Sequence, residues 1–238
     1  MPRPEVAPLA PFPGSLTLVA ALAAIAGCLD ALSLVRLTGT FVAFQSGNTV
    51  LAGLQVGQGD LAAALPPAAA VLTYVAGSAL TPFVIRSGRG GIARGPQRLL
   101  AWATGLLLLD TVIVLIAFGP GSETPHGVLR YLGLIAVTLA MAMQTPVART
   151  VEGVPVSSTF SSGMMVRLGQ SLGDLFHAGA RARERRVTRI LGVVNLAFLG
   201  GAIVGGVLIE HWGNASILVP TVALAVVALA RRRPNAAP

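Results

Sequence analysis

Phe44-Gln45-Ser46-Gly47-Asn48-Thr49-Val50 and Phe160-Ser161-Ser162-Gly163-Met164-Met165-Val166 read as two versions of one phrase, and whether they cross a bilayer decides the topology of the chain. They lie in stretches, about 38 to 57 and 155 to 173, that are apolar but broken by Gly, Ser, Thr, Asn and Gln. Working outward, continuous apolar runs occupy about 16 to 36, 61 to 85, 99 to 118, 129 to 148, 190 to 209 and 214 to 230. Most approach the roughly 20 residues that a helix needs to cross a bilayer core of about 30 Å. Of 238 residues, 54% are hydrophobic and 11% charged, with a mean hydropathy of +0.76. Those values lie outside the soluble range. The chain therefore reads as one all-α integral membrane domain over 1–238 in contact with the lipid bilayer, with a Pro-rich leader at 1–15 and little left for a second domain.

Charge sets the orientation. The net charge is +8 and all 17 basic residues are Arg, clustered between apolar runs without interleaved aromatics, so they read as loop charge and not as a nucleic-acid surface. If both broken stretches cross, eight spans result and the Arg clusters at 86–98, 181–189 and 231–233 cannot share a side. If both re-enter, about six spans place these clusters and both termini in the cytoplasm of a bacterial-type inner membrane, leaving only Arg36 and Arg130 outside. The leader holds only Arg3, so the first run reads as a retained span and not as a cleaved signal.

The two phrases align further. Gly53 and Gly57 fall on Gly169 and Gly173, Asp30 and Arg36 roughly on Gln144 and Arg149, and Tyr74-Val75-Ala76-Gly77 on Phe198-Leu199-Gly200-Gly201. Two halves, about 16–118 and 128–230, would each hold three spans and one half-helix. An odd number of spans inserts the second half upside down, giving an inverted 3+3 repeat. Leu37 to Gln45 would descend extended and Gly47 to Gly57 return as a short helix, with the second stretch entering from the opposite face.

Irregular backbone at that depth must be buried in protein or line water. Two half-helix N-termini would then approach the midplane, decorated by Gln45, Ser46, Asn48 and Thr49 on one side and Thr159, Ser161 and Ser162 on the other, a setting for a small polar or anionic solute. Alternatively, these groups cap their own helices. Gly47 and Gly163 are expected to permit a tight turn and close approach.

Asp110 sits in Leu106-Leu107-Leu108-Leu109-Asp110-Thr111-Val112-Ile113, inside an otherwise apolar span. It is a candidate proton or cation coupling residue, or else bonds a polar residue such as Asn195 on another helix. Asp30 and Gln144 complete the candidate substrate set. Arg167 reads as a snorkelling side chain. His126, His177 and His211 lack ligand spacing and Cys28 is alone, so no metal, cofactor or disulfide is expected. Gly200, Gly201, Gly205 and Gly206, with Ala76-Gly77-Ser78-Ala79, form small-residue seams for packing within the monomer or in a homo-oligomer.

Gly27, Asp30 and Phe41-Val-Ala-Phe-Gln-Ser-Gly-Asn48, with Met143-Gln144 and the later Thr-Phe-Ser-Ser-Gly, resemble the YoaK-like family of bacterial membrane proteins, a domain of unknown function. Where that family more usually has Thr before Gly-Asn, this chain has Ser46. The resemblance implies location and architecture, and no substrate. The expected function is a small-solute transporter or channel with a polar midplane site between the Ser-Gly segments. A membrane-embedded enzyme is the alternative, but no convergent acid, base, nucleophile or metal set stands out. A structural or regulatory membrane protein is the third.

Overall fold

The computed structural model describes residues 12–37, 39–87, 91–121, 125–159, 161–176 and 182–231. The leader before Phe12, Phe160, His177 and the side chain of Ser161 lie outside the described residues. Among the described residues, eight α-helices run in the order α1 (Leu16–Arg36), α2 (Gln45–Gly57), α3 (Leu61–Arg86), α4 (Gly95–Phe118), α5 (Gly127–Gln144), α6 (Ser161–Leu175), α7 (Ala182–Trp212) and α8 (Leu218–Ala230). Among the described residues, five helical stretches are long and apolar enough to cross a membrane: α1, α3, α4 with its lead-in turn, α5 with its C-terminal turn, and the 49 residues Ala182–Ala230. The last of these folds back at Gly213, where φ is +54°, and so holds both of the final apolar runs.

Large apolar side chains point outward all over this bundle, among them Phe83, Ile116 and Val128, each more than 70% exposed. In water such a surface would aggregate; in a bilayer it is the solvated face. Interior contact then depends on close packing and small residues. The α1–α7 crossing illustrates this: a Cβ on Gly27 would collide with the Phe198 carbonyl, and one on Gly201 with the Ala24 carbonyl. Gly77 plays the same part between α3 and α5, facing Ala142 and Leu139. Gly200 and Gly206 have nothing within 4 Å. The small-residue seams are thus partly spent inside the chain.

Contacts at the helix ends fix the directions. Gln97 Nε2 at the start of α4 donates to the Arg231 carbonyl after α8 (2.8 Å), and the Arg98 guanidinium bonds the Ile85 carbonyl at the end of α3. The same end carries Glu152 paired with Arg186 and Arg189 of α7 (3.5 and 3.3 Å). At the other end, Arg36 closes α1 and reaches the Gly121 carbonyl, while Asn214 Nδ2 donates to Gly119 (3.1 Å). α1, α4 and α7 therefore run from the Arg-rich end to the opposite end, and α3, α5 and α8 run back.

Several hydroxyls in the spans bond carbonyls of their own helix. Pro82 cannot donate to the Ser78 carbonyl, and Thr81 Oγ1 does so instead (2.8 Å). Thr111 Oγ1 returns to Leu107 and also meets Thr221 Oγ1 of α8 at 3.0 Å. At the Arg-rich end, a two-residue turn at Glu152-Gly153, both with positive φ, closes a hairpin of Thr150–Val151 and Val154–Pro155. Arg149 and Thr150 pair in turn with Phe12 and Gly14 of the leader. The sequence carried no expectation of this small sheet.

Candidate functional site

The first broken stretch begins at Leu37, beside α1's exit, and ends where α3 begins at that same end of the bundle. Between them the backbone descends irregularly to Phe44 and returns as α2, whose 13 residues span about 20 Å, short of a full crossing. Its bare amides need partners at that depth, and Asp30 supplies them: Oδ1 accepts from Val42 N–H (2.8 Å) and Ala43 N–H (2.7 Å). Asn48 clamps the turn from the helix side, accepting from Phe41 N–H (2.9 Å) and donating Nδ2–H to the Phe41 carbonyl (2.7 Å) and to Gln45 Oε1 (2.9 Å). Gln45 Nε2 donates to Val42, Thr49 Oγ1 to Gln45, and Ser33 Oγ to Thr40. Thus Gln45, Asn48 and Thr49 bond within their own turn and Asp30 reaches it from α1, while Ser46 is exposed.

Gly47 was expected at a tight turn, but it is not among the positive-φ glycines. Its missing side chain makes room for Phe41 and Phe44, whose rings pack edge to face 5.3 Å apart, since a Cβ would lie 2.5 Å from Phe44 Cδ1. Half-buried Gly163 stands in the first turn of α6.

The second stretch leaves from the Arg-rich end at Arg149, whose carbonyl accepts from Val156 N–H (3.0 Å), and returns there through α6 to α7. Its tip is held by three hydroxyls. Tyr74 OH lies 2.7 Å from Thr145 Oγ1 and 3.0 Å from Thr159 Oγ1, which are 2.9 Å from each other. Where the first half uses a carboxylate, the second uses neutral groups. Gln144, the aligned counterpart of Asp30, instead ties α5 to α1 by donating Nε2–H to the Leu22 carbonyl (2.9 Å).

Phe44 at the first tip and Ser162 at the second line one cleft of about 680 Å³, walled by Met165, Leu168, Leu196 and Leu199. Thr188 and Asn195 give it further polar atoms. The sequence led to a polar centre; the cleft is mainly apolar because Gln45 and Asn48 turn their polar atoms back into the first tip.

Asp110 is fully buried and neither carboxyl oxygen has a hydrogen-bond partner among the described residues. A bond from Asn195 had been one expectation. Asn195 instead donates to the Leu191 carbonyl of its own helix (2.8 Å) and faces the cleft, while Asp110 packs on Gly133 of α5. Gly133, Tyr74 and Thr145 were not picked out as site residues; Tyr74, one of two tyrosines and set in an apolar run, was the available signal.

Residues 18–230 match a family described as a protein of unknown function, DUF1275. The chain belongs to this family. A relative from Rhizobium meliloti (strain 1021), described as UPF0700 transmembrane protein RA0705, is 31% identical over 209 residues, covering 87% of this chain and 82% of its own. No solved structure matches. The YoaK-like resemblance and the all-α membrane architecture thus stand together: this DUF1275 member is a multi-pass membrane protein with two short helices preceded by irregular backbone, each braced by its own set of polar side chains.

Proposed function

We propose that this DUF1275 member is a small-solute transporter or channel built as an inverted 3+3 repeat, with its pathway between the two half-crossing tips. The observation that carries the reading is that segments entering from opposite ends bring Phe44 and Ser162 to one cleft. The packing pattern supports the repeat. Exchanging α1–α4 for α5–α8 turns the α1–α7 contact into α5–α3, α2–α3 into α6–α7, and α4–α5 into α8–α1, and all of these pairs pack. Opposed half-helices around a fixed site are the arrangement used by carriers with inverted repeats. The Arg-rich end faces the cytoplasm of the inner membrane by the positive-inside rule.

The lining favours a solute with an apolar body and one polar or anionic end, held near Ser162, Thr188 and Asn195 beside the start of α6. An enzymatic reading has less support, because Asp30 is engaged with backbone amides while Asp110 faces a glycine. The test is flux into proteoliposomes screened over carboxylates, amino acids and polyols, with Ser162→Trp filling the cleft. Wild-type protein is expected to pass at least one class and folded Ser162→Trp to pass none. Equal flux in both would move the pathway elsewhere, and no flux above empty liposomes for any class would remove the transport reading.

A further inference from the structure

We infer that Asp110 is a proton-binding site in the membrane interior, holding its proton in this conformation and releasing it in another. The inference deepens the transport reading, since a proton exchanged here is what a coupled carrier needs. The carboxyl has no exposure, and neither Oδ1 nor Oδ2 has a partner among the described residues. An ionised, unpaired carboxylate so placed is strongly disfavoured, so the neutral acid is the form that fits. Its neighbour is chosen for room: a Cβ on Gly133 would lie 2.7 Å from Oδ1. Asp30 differs in that its Oδ1 accepts from two amides, although its Oδ2 also has no hydrogen-bond partner among the described residues.

The charged surroundings indicate where the proton leaves. Against α4 pack α3, α5, α8 and short turns. α8 and the Gly213–Ile217 turn carry no ionisable side chain. α3 offers Tyr74 and Arg86, and α4 with its lead-in offers Arg94 and Arg98, all toward the Arg-rich end. Toward the opposite end lie Arg36, bonded to Gly121, His126, edge-on to Phe118, and Tyr131 of α5. Beyond the Leu37 wall, α1 also carries Asp30. Arg130 stands one turn before Gly133 on α5, and its buried Nε has no hydrogen-bond partner among the described residues. Arg130 is the basic residue that α5 carries toward the end marked by Arg36, and we place the route toward that end.

The test uses the full chain in liposomes and an apolar carbodiimide. The protonated carboxyl adds its oxygen to the central carbon and its proton to a nitrogen, and the acyl shift then leaves a stable N-acylurea that mass spectrometry locates. Asp110 is expected to be modified in wild-type protein at neutral pH, with labelling falling at least tenfold as pH rises. Asp110→Asn should abolish the adduct; because the wild-type profile locates the adduct by itself, a poorly folding variant does not blunt the test. No adduct at Asp110, an adduct on Asp30 in its place, or labelling independent of pH would each overturn the inference. None of these readouts needs a solute, so the transport reading and the proton site fail separately.

Discussion

Asp30 Oδ1 lies 2.7 Å from the amide nitrogen of Ala43, so a carboxylate on the first crossing helix holds up the backbone of the first half-crossing turn. The same oxygen takes Val42 N–H. Asp30→Ala orphans both amides at a depth without water, and each orphan costs roughly 1–3 kcal/mol. Asp30→Asn keeps an acceptor oxygen. In thermal unfolding of detergent-solubilised protein, the alanine variant is expected to melt well below the asparagine variant. Equal melting of the two would show that the oxygen does not carry the turn.

The α1–α7 crossing separates two adjacent glycines. Gly201→Ala drives a methyl group into the Ala24 carbonyl, whereas Gly200→Ala enters open space. Overpacking of this kind costs about 1–3 kcal/mol, while a surface change stays within roughly 0.5 kcal/mol. Chemical denaturation in micelles should rank Gly201→Ala far below Gly200→Ala, which should match wild type.

Tyr74→Phe removes one vertex of the hydroxyl triangle with Thr145 and Thr159. The loss is expected at about 0.5–1.5 kcal/mol, and its place is more telling than its size. Amide exchange should quicken across 156–159 and stay unchanged across 41–44, because the two tips are braced by separate groups. Quickening at both tips together would mean that they are one cooperative unit.

Thr81 and Pro82 form a compensating pair on α3. Thr81→Val leaves the Ser78 carbonyl without its hydroxyl donor next to a proline that has no N–H to give. The expected cost is about 1 kcal/mol. Adding Pro82→Ala restores a helical donor, so a double-mutant cycle on unfolding should show coupling of at least 0.5 kcal/mol in order of magnitude. Additive effects would dissociate the two residues.

The membrane character and the outlines of the helices were legible in the sequence, because apolar length is a local signal that needs no partner. α7 shows the boundary of that signal: its Arg-rich first turns, from Ala182, continue the helix beyond the apolar run expected from 190. The two short broken helices, α2 and α6, were legible from Gly and polar interruptions. What each polar residue does there was not. Asp30 and Asn48 satisfy backbone twelve and seven residues away, respectively, and Gln144 bonds a carbonyl across 122 residues. Such pairings exist only once the helices are packed. Asp110 was readable as costly, but the glycine that faces it lies on another helix and carries no side chain to announce the contact.

The central claim is that the two broken segments enter from opposite faces, and side-specific labelling tests it most directly. In a Cys28→Ala background, single cysteines at Gln58, Glu210 and Asp174, all exposed, would be treated in whole cells with a membrane-impermeant maleimide. Gln58→Cys and Glu210→Cys are expected to label on intact cells, and Asp174→Cys only after permeabilisation. Labelling of Gln58→Cys only after permeabilisation, together with Asp174→Cys, would mean that the first segment crosses the bilayer, which contradicts the inverted arrangement.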